Sequence, residues 1–190
     1  MYSKCILALF ILIQQYKVLT YASDETSSVT TNDIYVQHTM HRISDPKVSL
    51  PFYTEALGLT LLDTADLAMD KSTMFTMFFL AYEDPDNIPI DDEERLSWAM
   101  SYPGAINLQY IWGDNVSQHE YSDGNARPTG YSHIGIFASN VYEFCDRLMD
   151  YGVTFIKKPD EGVAHGNAFI LDPDGYWIEI MNPYRMTLAE

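Results

Sequence analysis

One structural unit recurs along this chain, and that recurrence limits its fold more than any other feature. Residues 35–43 (YVQHTMHRI) read as a strand rich in β-branched and apolar side chains. Ser44 or Asp45 can cap a helix that Pro46 opens and Leu57-Gly58 ends, and Pro51 predicts a kink near its first turn. Residues 59–64 and 74–82 follow as strands, a polar insertion runs through Met100, and residues 105–112 are another strand. The second half repeats the plan. Residues 131–138 (YSHIGIFA) form a strand and Asn140 caps a helix. In that helix Val141, Phe144, Cys145, Leu148 and Met149 keep the i, i+3, i+4, i+7, i+8 spacing of one buried face. It stops at Tyr151-Gly152, residues 153–157 are a strand, and residues 167–171 turn through Asp172-Pro173-Asp174-Gly175 into a last strand, 176–181. His38 precedes Gly58 by 20 residues, and His133 precedes Gly152 by 19. The predicted fold is α+β, with two βαβββ modules (about 34–113 and 130–184) inside a domain spanning 34–190. Their concave mixed sheets would face one metal pocket.

Strand alternation sorts the polar side chains of that pocket. Val36, His38, Met40 and Arg42 share a face, with His38 and Arg42 about 13 Å apart at a strand's usual rise. Trp177, Glu179 and Met181 share another, and a glutamate among such neighbours is costly to bury unless it is paired or bound to metal. Asn107 and Gln109 interrupt an otherwise apolar strand on the face opposite Ile106, Leu108 and Tyr110. His38, His133 and Glu179, with Asn107 or Gln109 nearby, suit a divalent transition metal with open positions for water or a chelating substrate. Taken singly, each histidine is more often a hydrogen-bonded core or surface residue than a ligand. Their equivalent placement in the repeat is what selects them. His41, His119 and His165 lack that placement and are read as surface residues.

Of 190 residues 47% are hydrophobic, enough for a folded core and too many for a disordered chain. The net charge of −16 excludes nucleic acid and anionic membrane surfaces as partners, since both bind basic patches. Lys4, the apolar run from Cys5 to Ile13, which is too short to span a bilayer, and the small pair Ala22-Ser23 read as a signal peptide over residues 1–22. Residues 23–33 then form a polar linker. Removing the leader takes Lys4 and Lys17 with it and moves the net charge from −16 to −18. The expected destination is secretion or an organelle on the secretory route, with the cytoplasm as the alternative if the leader does not function. Cys145 would then be left alone, so no internal disulfide is needed, and Asn115-Val116-Ser117 would become a usable glycosylation sequon.

Five segments, HTMHRISDPKVSLPFYTEALGLTLL, FFLAYEDPDNIP, NLQYIWG, YSHIGIFASNVYEFCDRLMDYGVTFIKKPDEG and DPDGYWIEIMNP, resemble successive pieces of glyoxalase I (lactoylglutathione lyase), from about Tyr35 to the C-terminus. The resemblance implies the vicinal oxygen chelate fold and a homodimer whose metal sites lie between modules of different subunits. It implies zinc or nickel as the metal. The implied substrate is the hemithioacetal of methylglyoxal and glutathione, isomerised to S-lactoylglutathione. Matched by motif, His38, His133 and Glu179 become metal ligands, Glu179 also the base, and Arg42 a grip on a glutathione carboxylate.

Several matched positions depart from the family pattern. Asn107 stands where a ligating glutamate is expected, and an amide binds a cation weakly and accepts no proton. Ile111, Thr129 and Val163-Ala164 replace residues that contact glutathione or close over it, although Arg127 lies two residues from Thr129. Three functions therefore stay open: a lyase with Glu179 as sole base, a dioxygenase-like metal enzyme on another small substrate, and a secreted non-catalytic binding protein on the same scaffold.

Overall fold

The computed structural model describes residues 34–114, 121–127 and 129–188. The leader, the linker, the Asn115 sequon and His119 lie outside them. The elements below all belong to the unit Val36–Glu190.

Module 1 runs β1 (His38–Arg42), α1 (Pro46–Pro51), β2 (Thr60–Ala68), β3 (Met74–Ala81), α2 (Asp92–Ser101) and β4 (Ala105–Ile111). Module 2 runs β5 (His133–Phe137), α3 (Val141–Tyr151), β6 (Phe155–Lys157), β7 (Ala164–His165), β8 (Asn167–Leu171) and β9 (Trp177–Met181). Each module forms a four-stranded mixed sheet. The orders, β1-β4-β3-β2 and β5-β9-β8-β6, are the same path: first strand beside last, then third, then second. In both, the first and last strands pair parallel and the others antiparallel. The fold is the α+β arrangement predicted from the repeat. The short β7 pairs with β10 (Thr187–Leu188) at the C-terminal end, a ribbon the sequence pattern did not suggest.

Three local features differ from expectation. Asp45 caps α1, its carboxylate accepting from the Lys47 N–H, and the helix does not simply kink at Pro51. It widens into a π-helical turn over Phe52–Ala56, in which Leu57 N–H reaches back to Phe52 O. A proline inside a helix removes one backbone donor, and a wider turn re-pairs the carbonyls that follow. The insertion before Met100 contains α2, capped by Asp91, which accepts from both Glu93 and Glu94 N–H. β2 continues four residues past Thr64 to Ala68, paired with Met74.

One core joins the modules. Ile106, Leu108, Phe78 and Leu80 of the first sheet and Ile136, Ile170, Ile178 and Ile180 of the second bury together with Tyr53, Leu57, Cys145 and Leu148 of the helices. A second cluster covers part of the other face of sheet 1, where Leu96, Trp98 and Ala99 of α2 pack on Leu62, Phe75, Met77 and Phe79. Arg147 ties the halves together by donating from α3 to Ala56 O (2.8 Å) and Leu57 O (3.3 Å), carbonyls left over at the end of the π turn.

His41 is not a surface residue. β1 alternates, so with His38 turned one way His41 turns the other, into the core at 2% exposure. Its Nδ1 meets Tyr53 OH and its Nε2 meets Tyr131 OH, each at 3.2 Å, and its ring stacks on Tyr176 at 4.5 Å. Tyr53 OH in turn donates to Asp172 Oδ2 (2.7 Å). The hairpin turn that carries Asp172 and Asp174 is likewise buried, its carboxylates taking donors from Ser44 N–H and Ser49 OH as well as from the turn itself. This polar network links module 1 to module 2 through the core. His165 is half-buried in β7.

Candidate active site

The shared strand path gives each module the same half-site. In module 1 His38 pairs with Ala105, and Asn107 pairs with Met40, two residues beyond His38. In module 2 His133 pairs with Trp177, and Glu179 pairs with Gly135, two residues beyond His133. The outer neighbours correspond as well, Phe79 beside Asn107 and Phe169 beside Glu179. Asn107 is therefore the structural counterpart of Glu179, each two steps along a strand from the partner of a histidine.

On sheet 1, His38, Met40 and Arg42 form the exposed side of β1, while Asn107 and Gln109 beside them are 2% and 6% exposed. His38 lines a groove of about 410 Å³ between β1 and β5, together with Ala105, Gly135 and the exposed Phe137. Its Nδ1 is held by Gln37 Oε1, and Gln37 is itself oriented by donating from Nε2 to Tyr102 O (3.0 Å) at the end of α2. Because the Gln37 oxygen accepts, His38 Nδ1 must carry the proton, which leaves the lone pair on Nε2. Arg42 Nε lies 3.4 Å from Gln109 Oε1.

On sheet 2, His133 Nε2 stands 3.3 Å from Glu179 Oε2, their side chains 33% and 14% exposed. His133 Nδ1 contacts Ser132 OH at 2.9 Å, and its ring meets the Phe169 ring edge-on. The second oxygen of the carboxylate, Glu179 Oε1, accepts from Asn167 Nδ2 at 2.7 Å. Asn167 O and Oδ1 both accept from Lys157 Nζ, at 2.7 and 2.9 Å. Burial draws the Lys157 ammonium below the usual lysine range, and the acidic side chains around it, Glu161, Asp160 and Glu179, pull the other way. Neither Lys157 nor Asn167 stood out in the sequence.

These donors fit a metal ion. Asn107 Oδ1 is a fully buried side-chain oxygen with no hydrogen-bond partner, and leaving such an acceptor unmade is costly. A cation would satisfy it. Both histidines have a partner at Nδ1, the usual arrangement of metal-binding imidazoles, and His133 turns its Nε2 to the Glu179 carboxylate beside it. The structure pairs His133 with Glu179 and sets His38 beside Asn107 on the other sheet. Among the described residues of one chain, no three His, Cys, Asp or Glu side chains gather as a metal set.

The glyoxalase/bleomycin resistance protein/dioxygenase superfamily is matched over residues 35–180. Lactoylglutathione lyase of Pseudomonas putida is 38% identical over 154 residues, which cover 80% of this chain and 87% of that protein. The chain belongs to the glyoxalase I family. Another member, lactoylglutathione lyase of Pseudomonas aeruginosa, is 35% identical over 80% of this chain and 84% of its own length. Among solved structures, the trypanothione-dependent glyoxalase I of Leishmania major matches with a TM-score of 0.56 and 29% identity. It covers 80% of this chain and 88% of its own. The two-module glyoxalase fold is thus shared with a lyase of known structure.

Proposed function

We propose that this protein is a metal-dependent lactoylglutathione lyase that converts the methylglyoxal–glutathione hemithioacetal to S-lactoylglutathione. The observation that carries the reading is the repeated half-site: His38 with Asn107, and His133 with Glu179, in one register. His38, His133 and Glu179 would hold the ion, with Asn107 as a weak fourth ligand through its unpartnered oxygen. Zinc and nickel both suit two imidazoles with oxygen donors. Bound there, the metal supplies positive charge that polarises the substrate oxygens.

The proton moves on Glu179. The hemithioacetal carries hydrogen, hydroxyl and thioether sulfur on C1, and a ketone on C2. Glu179 takes the C1 proton, the released electron pair becomes the C1–C2 double bond, and the C2 carbonyl pair moves to its oxygen, giving an enediolate. Glu179 then returns the proton to C2, and the C1 hydroxyl proton passes to the C2 oxygen as the C1 carbonyl forms. Atoms balance with no outside reactant, so one carboxylate suffices. Asn107 can accept no proton, and the chemistry rests on Glu179 alone. Arg42 offers a guanidinium on the His38 face for a substrate carboxylate.

The two half-sites belong to different sheets, and we propose that a homodimer joins the His38 half of one chain to the Glu179 half of the other. The exposed Met40 and Phe137 on those faces support a second copy as the cover. Residues 1–22 are proposed as a cleaved leader that sends the protein into the secretory route, which recovery of intact Met1 from its native cells would exclude. The reading of the site is tested by Zn²⁺ or Ni²⁺ titration of purified protein, followed by the hemithioacetal assay on wild type and Glu179→Gln. A positioned acid–base group gives roughly 100- to 10,000-fold in rate, and the variant is expected to lose that much in kcat. Wild type that holds one ion per site and yet leaves the hemithioacetal unchanged would refute it.

A further inference from the structure

Behind Glu179 stand two residues that the reaction just described does not use, and they are ordered in one direction. We propose that Asn167 is a positioning residue that fixes which oxygen of Glu179 faces the metal and the substrate, and that Lys157 fixes the orientation of Asn167. The inference rests on the proposed lyase site and concerns how its single base is aimed.

A side-chain amide can face either way, and in most places only its partners decide. Here Lys157 Nζ lies 2.9 Å from one end of the Asn167 amide and 2.7 Å from the same residue's backbone oxygen. An ammonium has donors only, so the amide oxygen must face it. The NH₂ end is then forced toward Glu179, where it donates to Oε1 at 2.7 Å. With Oε1 held, Oε2 is the oxygen left beside His133 Nε2. Asn167 is 4% exposed, so solvent does not compete for the bond. The carboxylate is thereby kept in one plane with one oxygen committed to the scaffold.

Module 1 supplies an internal comparison. Asn167 pairs with Met181, two residues past Glu179, and Met77 pairs with Gln109, two residues past Asn107. Met77 is therefore the counterpart of Asn167, and its side chain has no N–H or O–H to give. Asn107 Oδ1, the counterpart of the Glu179 carboxylate, has no partner at all. The donor stands only behind the residue that must move a proton, which separates this arrangement from generic filling of the sheet face.

Asn167→Leu keeps similar volume and removes the donor, and Lys157→Met frees the amide to turn over. Zn²⁺ affinity is read by competition with a coloured chelator, folding by the thermal midpoint of the metal-free protein, and catalysis by kcat and KM separately. Loss of a partner behind a ligand typically weakens metal binding or activity ~10- to 100-fold. Asn167→Leu is expected to lose Zn²⁺ affinity and kcat in that range, with KM and the metal-free midpoint near wild type. Lys157→Met is expected to lose less, and the double variant no more than Asn167→Leu alone, because Lys157 acts only through Asn167. Wild-type Zn²⁺ affinity and kcat in a folded Asn167→Leu protein would overturn the proposal. So would a Lys157→Met protein that raises KM and whose loss multiplies with that of Asn167→Leu, since Lys157 would then touch substrate itself. If Asn167→Leu does not fold, the kcat and Zn²⁺ affinity of Lys157→Met decide, and wild-type values for both overturn it. A wild type that neither binds Zn²⁺ nor turns over substrate removes the lyase reading, and this inference with it.

Discussion

Replacing His41 by phenylalanine tests whether burial of this imidazole between the modules makes stability depend on pH. Burial lowers the His41 pKa from 6.5 to about 4, with the Asp174 charge pulling weakly the other way. Burial raises the Asp172 carboxyl from 3.8 to about 7, although Tyr53 OH and the Tyr176 and Asp174 N–H groups favour its ionised form. The remaining titratable neighbours, Tyr53, Tyr131 and Tyr176, are all raised by burial and stay neutral. Between about pH 6.5 and 4 the unfolded chain protonates His41 and the folded one does not, so this residue's contribution falls as pH falls. Its slope is about 1.4 kcal/mol per pH unit at most. Asp172 acts in the opposite sense. The folded state holds its proton where the unfolded chain has lost it, and its contribution falls as pH rises toward 7.

His41→Phe keeps a ring to stack on Tyr176 and removes both nitrogens. At about pH 7.5 the variant should be less stable by about 2 kcal/mol, the scale of two buried hydrogen bonds lost while Tyr53 retains Asp172. By about pH 5 the His41 penalty in wild type has grown by about 2 kcal/mol, and the two proteins should be equally stable. Urea unfolding of both, in parallel across this range, measures the gap, and the shared Asp172 slope cancels in the difference. A gap that stays constant from pH 7.5 to 5 would refute the reasoning.

Two further substitutions address the module 1 half-site. Asn107→Glu restores the carboxylate that the family pattern has there. In the metal-free protein it buries a charge and should lower the thermal midpoint, and Zn²⁺ should recover it and raise lyase turnover, alone or combined with Ile111→Asn and Thr129→Arg. Stoichiometric metal binding with no gain in isomerisation by either form would mean that the missing ligand is not what limits the reaction. Gln37→Leu frees the His38 ring and should weaken Zn²⁺ binding roughly tenfold with little effect on the metal-free midpoint, a difference that chelator competition resolves.

Much of this architecture was legible because it rests on short-range signals. The capped helices, the αL glycine Gly152 at φ +88° and the strand alternation all act within a few residues of sequence, and the repeat doubles them. The same alternation, followed one step further, would have assigned His41 to the core, since an odd separation from His38 turns it to the opposite face. Helix α2 was hidden because its apolar residues, Leu96, Trp98, Ala99 and Met100, crowd into its second half and span little more than one turn, and its place depends on the face of sheet 1 it covers. Lys157 and Asn167 could not be linked to Glu179 from sequence. Their meeting depends on the register across β6, β8 and β9, including an irregularity between Phe155 and Lys157 that no local pattern announces.

The division of the site into halves also has a consequence for inheritance. In a homodimer joined as proposed, each metal site draws His38 from one chain and Glu179 from the other. A lesion in the first half and a lesion in the second are then not equivalent defects. Chains carrying His38→Ala and chains carrying Glu179→Gln, each inactive alone, would form mixed dimers with one site assembled wholly from undamaged halves. Random association of equal amounts would return about a quarter of the normal sites. Two recessive alleles of this single gene would complement one another, as if each half were a separate locus.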